Sequence, residues 1–243
     1  MNLKEAKVLI TGGSSGIGRA TAKMLAEAGA KVVICARDEE KLSQTAKELN
    51  VAYVHADVSM EDDVIRLVEE ANKKLDGLNV LINNAGYAYA APLEDIMPEL
   101  FEDVLRTNVI GATLCAREAA KIFTRQQYGN IINIASTSGL KGSPNASPYT
   151  ATKFALRGMT ESWRAELRPH NIRVMLINPS EVMTNFASAA NWNGHQNDKS
   201  YSSKEQETKL RGEEIAHTIK SLLQMDDRGF ITEATVFATN PQT

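Results

Sequence analysis

Lys7-Val-Leu-Ile-Thr-Gly-Gly-Ser-Ser-Gly-Ile-Gly18 is the stretch that decides the fold. An apolar strand, Lys7–Thr11, runs into a glycine-rich turn that opens a helix over Gly16–Ala28, and a strand rich in β-branched residues follows at Lys31–Cys35. That is one βαβ unit. Read outward, the alternation continues with a helix over Glu39–Leu49, a strand over Ala52–Ala56, a helix over Met60–Leu75 and a strand over Asn79–Ile82. A long helix, Pro98–Gln126, precedes a strand at Asn130–Ala135. Then come helix Pro148–Arg168, strand Ile172–Asn178, a helix near Ser203–Gln224 and a last strand, Ile231–Ala238. The strands are continuous apolar runs instead of alternating ones, which means burial on both faces and a parallel sheet between two helix layers. The fold class is α/β, doubly wound.

With 243 residues and no break in composition, the chain reads as one domain over 1–243. Its net charge of −3 is well mixed, without a basic block or stripe, so no nucleic acid or membrane partner is expected and its ligand should be small. There is no apolar leader and no stretch long enough to span a bilayer, so a cytoplasmic protein is expected. Cys35 in a strand and Cys115 in a helix read as buried free thiols, and no His/Cys cluster has metal-ligand spacing. Residues 184–203, rich in Asn, Ser and Ala, break the rhythm beyond the carboxyl end of a strand, the edge where ligands bind in open parallel sheets. They read as a substrate loop or lid.

Gly12, Gly16 and Gly18 let backbone approach a pyrophosphate while the helix N-terminus meets its charge. A tight turn is the alternative, but the position after the first strand favours a dinucleotide site that includes Ser14, Ser15 and Ile17. The second strand ends at Ala36-Arg37, where an acidic residue would grip a ribose hydroxyl. A guanidinium there, with the Ser14 hydroxyl, suits a 2′-phosphate and favours NADP over NAD; Asp38 complicates this, and a solvated surface arginine is the alternative. Asn83-Asn-Ala-Gly86 follows the fourth strand as a polar turn. Asn108, followed by Gly111, is locally unfavourable within the long helix, and such a conflict often marks a functional position.

Tyr149 and Lys153 stand one helical turn apart on one face, with Ser147 as cap and Pro148 at the first helical position. A free phenol, with a pKa of roughly 10, is a poor acid or base at neutral pH until a positive charge stabilises its phenolate. Lys153 supplies that charge. Ser136, at the end of the preceding strand, offers a hydroxyl for a substrate carbonyl, and Thr137 and Ser138 are neighbours of the same chemistry.

In this order, Thr11-Gly-x-x-x-Gly-x-Gly18, Asp57-Val58, Asn83-Asn-Ala-Gly86, Asn108, Ser136, Tyr149-x-x-x-Lys153 and Asn178-Pro179 resemble the short-chain dehydrogenase/reductase family in its single-domain branch. The resemblance implies a Rossmann-type sheet of seven parallel strands. It implies Tyr149 as general acid/base, Lys153 lowering its pKa and holding the nicotinamide ribose, and Ser136 orienting the substrate oxygen. Asn108 would hold a water linking Lys153 to solvent. Asp57 and Val58 would contact the adenine, Asn84, Ala85 and Gly86 the middle of the cofactor, and Pro179, Val182 and Thr184 the carboxamide. A homodimer or homotetramer joined through the helices holding Asn108 and Tyr149 is also implied. Two positions depart from the family: Ser180 replaces the glycine usual after the proline, and Glu233 replaces the glycine of the Ile-Thr-Gly frequent in 3-oxoacyl-carrier-protein reductases.

The readings converge on hydride transfer between NADP(H) and a ketone or secondary alcohol, as a carbonyl reductase. An oxidative alcohol or sugar dehydrogenase using NAD(P) is the rival among enzymes, and an NADPH-binding sensor or scaffold without turnover is the rival outside them. Tyr87, Tyr89, Ser138, Leu140, Asn145, Ser180, Phe186 and Trp192 are the expected substrate walls, and Trp163 reads as helix packing.

Overall fold

Seven parallel strands make the central sheet of the computed structural model, which describes residues 1–184, 191–192, 195–196 and 208–239. They are β1 (Lys7–Thr11), β2 (Lys31–Ala36), β3 (Ala52–His55), β4 (Val80–Asn83), β5 (Gly129–Ile134), β6 (Ile172–Pro179) and β7 (Glu233–Val236), in the order β7-β6-β5-β4-β1-β2-β3. In the middle, Ile10 of β1 lies opposite Ile34 of β2 on one side and Ile82 of β4 on the other. The helices are α1 (Gly16–Glu27), α2 (Glu39–Leu49), α3 (Glu61–Leu75), α4 (Pro98–Leu105), α5 (Ala112–Gln126), α6 (Ser147–Leu167) and α7 (Gly212–Gln224).

Successive strand residues bury opposite faces, and two cores result. Ile10, Ile34, Ile82, Ile132 and Ile177 pack with Leu25 of α1, Leu42 of α2 and Ile219 of α7. Leu9, Val33, Leu81, Ile131 and Val174 pack with Leu67 of α3 and Cys115 and Phe123 of α5. Local chemistry sets the helix limits. Asp38 caps α2 by accepting the Lys41 N–H at 3.0 Å, and Asn50, at φ 52°, ends it in the left-handed region. Helix α3 carries Glu61, Asp62 and Asp63 in its first turn and Lys73 and Lys74 in its last, which suits its dipole. Its buried Val64, Leu67, Val68, Ala71 and Leu75 form one stripe. Full burial of one such leucine stabilises by about 1.5–3 kcal/mol, so packing on the sheet holds these helices more than propensity does.

Four elements differ from expectation. The helix expected over Pro98–Gln126 is α4 and α5 joined by a π-helical turn, Arg106–Gly111, that contains Asn108. The chain there packs on the loop after β3 so tightly that a Cβ on Gly111 would lie 2.8 Å from the Val58 carbonyl oxygen. Ala146, not Ser147, caps α6, and Ser147 and Pro148 fill its first two positions. The last helix starts at Gly212 instead of near Ser203, because Leu210 is engaged elsewhere. Its N–H donates to Glu181 O at 3.2 Å and its O accepts from Met183 N at 2.7 Å. Residues 203–207 lie outside the described residues. Finally, a second, small sheet joins Tyr89–Ala90 to Asn191–Trp192 in parallel and the latter to His195–Gln196 in antiparallel.

Candidate active site

Because the chain winds away from β1 in both directions, a crevice opens at the carboxyl ends of β1 and β4. Asn84 fastens its base. The Asn84 Nδ2 donates to Thr11 O at 2.9 Å and Gly12 O at 3.1 Å, while the Thr11 hydroxyl accepts from the Asn84 and Ala85 N–H groups at 3.0 Å each. Gly12 has φ +65°, and a Cβ on Gly18 would strike its carbonyl oxygen, so glycine is required at both for the turn to lie against α1. Ser15, the N-cap of α1, makes no side-chain cap bond, which leaves the first amides of the helix to the crevice. The cavity here measures about 840 Å³ and is lined by Gly12, Ser14, Ser15, Gly16, Ile17, Asn84, Ala85 and Gly86. An uncapped helix N-terminus on a glycine turn in a cavity of this size fits the pyrophosphate of a dinucleotide. Gly18 does not line the cavity; it serves the packing of the turn.

At one end stand Arg37, Asp38, Lys41 and Val58. The Asp38 Oδ1 caps α2, and Arg37 and Lys41 are the cations of this end among the described residues. Asp57, expected at the adenine, does not line the cavity. Its Oδ1 accepts from Ser59 N at 2.9 Å and Ser59 Oγ at 2.8 Å, and its Oδ2 lies 4.0 Å from Arg37 Nη1. It shapes the turn that brings Val58 to the wall. Lys41 escaped the sequence reading, although a cation three positions beyond a helix cap at a strand end is a usable signal.

At the other end Ser136, Tyr149 and Lys153 converge. Ser136 opens a 3₁₀ turn, Thr137–Gly139; its Oγ accepts from Ser138 N at 3.1 Å and is hydrogen-bonded to Tyr149. Lys153 is buried, donates to Ile134 O at 2.9 Å, and places Nζ 5.5 Å from the centre of the Tyr149 ring. Burial pushes the Lys153 ammonium down to about 8. Burial also pushes the Tyr149 phenol up, with the Ser136 bond opposing part of the rise. Burial outweighs the Ser136 contribution, so the phenol stands above its ordinary value.

The Asn108 side chain is fully engaged. Its Oδ1 accepts from Tyr87 N at 3.1 Å, and its Nδ2 donates to Tyr87 O at 2.9 Å and Thr152 Oγ1 at 3.1 Å. Its amide thus braces loop and helix. Gly86 belongs to this contact, since a Cβ on it would lie 2.8 Å from Asn108 Oδ1.

Pro179, Ser180, Val182 and Thr184 line the cavity, as does Tyr87. The Ser180 Oγ accepts from Ala238 N at 3.3 Å, so the hydroxyl that departs from the family pattern ties the chain after β7 to the site. Ser138, Leu140 and Asn145 do not line the cavity: Leu140 and Asn145 point to solvent, and Asn145 O accepts from Ala91 N at 2.8 Å. Tyr89 is a core residue whose Oη accepts from Met97 N at 2.8 Å. Phe186 lies outside the described residues, as does the side chain of Trp192 and most of the expected lid. Glu181 and Lys209, paired at 2.9 Å, join the wall without a sequence signal, because chain pairing brings them together. Cys35 and Cys115 are buried free thiols; burial lifts Cys35 to about 12, which makes it unreactive. Trp163 packs on the α3 and α5 core. Among the described residues, no helix is long and apolar enough to cross a membrane.

A parallel sheet with a crevice of this kind defines a dinucleotide-fold protein, and comparison gives its family. The family described as short chain dehydrogenase matches residues 6–194. An uncharacterized oxidoreductase of Staphylococcus aureus is 33% identical over 192 residues, covering 78% of this chain and 83% of that protein. The chain belongs to the short-chain dehydrogenase/reductase family and is an oxidoreductase. Two solved structures are similar. A 3-ketoacyl-(acyl-carrier-protein) reductase from Brucella melitensis, complexed with NADH, has 30% identity, a TM-score of 0.84 and covers 94% of both chains. An actinorhodin polyketide ketoreductase variant with NADPH has 28% identity, a TM-score of 0.86 and covers 98% of both.

Proposed function

We propose that this oxidoreductase is an NADPH-dependent carbonyl reductase that acts on a ketone. One observation carries the reading: a single cavity joins a basic end, Arg37 and Lys41 with Ser14, to the phenol of Tyr149. One similar structure holds NADH and another NADPH, so kinship does not choose the coenzyme; the two cations favour a 2′-phosphate. When bound, the reduced nicotinamide supplies hydride to the carbonyl carbon. Ser136 and Tyr149 hold the carbonyl oxygen, and Tyr149 passes its proton to that oxygen, so the product is the alcohol. Lys153, fixed by its bond to Ile134 O, stabilises the phenolate and holds the ribose, and solvent returns the proton past Asn108. Val58 would flank the adenine, Asn84, Ala85 and Gly86 the middle of the cofactor, and Pro179, Val182 and Thr184 the carboxamide.

The whole chain acts as one domain, with 184–203 as its lid. Ile110 of the π-helical turn and Phe154 of α6, 47% and 45% exposed, support a homodimer or homotetramer built through the segments that hold Asn108 and Tyr149. The test is loss of NADPH and, separately, NADH absorbance with ketones, diketones, quinones and acyl thioesters. Turnover with NADPH on one carbonyl class is expected. Oxidation of alcohols with NAD⁺ and no carbonyl reduction, or tight NADPH binding with no turnover across the panel, overturns the reading.

A further inference from the structure

Tyr87 follows the Asn83-Asn-Ala-Gly86 turn and was expected at the substrate, yet it reaches the opposite end of the cavity. Its ring centre lies 6.0 Å from the Arg37 guanidinium carbon, within cation–π range. Both of its main-chain groups are gripped by Asn108, at 3.1 Å and 2.9 Å. Thr107, the neighbour of Asn108 in the π-helical turn, lines the cavity beside it. The residue is therefore held at its backbone, and its ring lines the cavity half-buried.

Arg37 needs such a support. Its side chain is 61% exposed, and its ion pair with Asp57 is long, at 4.0 Å. A long exposed side chain loses rotamer freedom when it grips a ligand, and a partner that already holds it reduces that loss. We propose that Tyr87 is a specificity-determining positioning residue: its ring holds the Arg37 guanidinium in place for the 2′-phosphate of the coenzyme. This rests on the NADPH reading above.

The test is calorimetric titration of the full chain with adenosine 2′,5′-bisphosphate and with 5′-AMP, probes that differ by the 2′-phosphate alone. The variants are Arg37→Ala, Tyr87→Phe, Tyr87→Leu and Tyr87→Met, each checked for native circular dichroism; Met serves if Leu does not fold. The bisphosphate is expected to bind at least tenfold tighter than AMP in the native protein, and Arg37→Ala should remove most of that ratio. Tyr87→Phe keeps the ring and should keep the ratio. Tyr87→Leu or Tyr87→Met should cut it about 2- to 5-fold, the size of an exposed cation–π contact, with AMP affinity unchanged. An unchanged ratio in both, or an equal loss for both probes, overturns the role of Tyr87 while leaving the NADPH reading intact. No preference for the bisphosphate in the native protein, or one indifferent to Arg37→Ala, overturns the NADPH reading itself.

Discussion

The coenzyme half and the substrate half of the cavity are built by different means. In the first, Ser14, Arg37, Lys41, Val58 and Asn84 all stand within a few residues of a strand end, so strand pairing in the sheet brings them together, and the Asn84 clasp on Thr11 and Gly12 joins two neighbouring strand ends. In the second, Ser136, Tyr149 and Lys153 are equally well fixed, but the walls around them come from segments that meet one another beyond the sheet. Glu181 is paired with Lys209, Val182 bridges to Leu210, and Ser180 ties to Ala238. Parts of a site that follow from one strand and its next turn are set by the sheet. Parts that follow from loop meeting loop are set by the packing of the whole chain, and so can vary while the chemistry stays fixed.

Removing a donor at the reacting end should produce the largest effect. Ser136→Ala is expected to lower kcat on the order of 100- to 1,000-fold, with NADPH affinity almost unaltered, as for loss of one positioned hydrogen-bond donor. A comparable loss of NADPH affinity, measured by fluorescence titration, would erase the division between the halves.

A smaller effect comes from pH. Burial holds Lys153 near 8, so below that value it is an ammonium and above it loses the charge that stabilises the phenolate. Reductive kcat should therefore fall as pH rises through about 8, while a rate that climbs over that range would contradict the role given to Lys153. At the coenzyme end, Lys41→Ala is expected to lower the NADPH-to-NADH ratio of kcat/KM by roughly 5- to 10-fold, the net worth of one hydrogen bond at a solvent-exposed site. An unchanged ratio would make Lys41 a surface charge.

The smallest change separates folding from binding. Asp38→Ala removes the cap of α2 and should cost about 1 kcal/mol of stability in urea unfolding, whereas Asp38→Asn, which can still cap, should cost less. Neither should change coenzyme preference; a swing toward NADPH in either variant would show Asp38 bearing on the ligand.

What was legible in the sequence follows the same division. The strands were readable because a doubly covered sheet demands unbroken apolar runs, and Tyr149 with Lys153 because helical spacing puts them on one face. Asn108 was visible as a local conflict, and the π-helical turn is its physical content. The cap of α6 was misread by one residue, since Ser147 and Pro148 suit either assignment. Tyr87 was misplaced for a deeper reason. Nothing local says which way a ring after a polar turn will lean; only the Asn108 grip and the position of Arg37 decide it. Leu210 likewise carried no sign that it would pair with Val182 instead of continuing a helix.

The most direct measurement is Tyr149→Phe, followed in parallel by NADPH titration and by turnover on a carbonyl the native protein reduces. Affinity is expected to stay within about twofold, because the coenzyme end is untouched, while turnover falls by ~100- to 10,000-fold through loss of the proton donor. Turnover equal to that of the native protein would contradict the account, for it would place the chemistry somewhere other than at Tyr149.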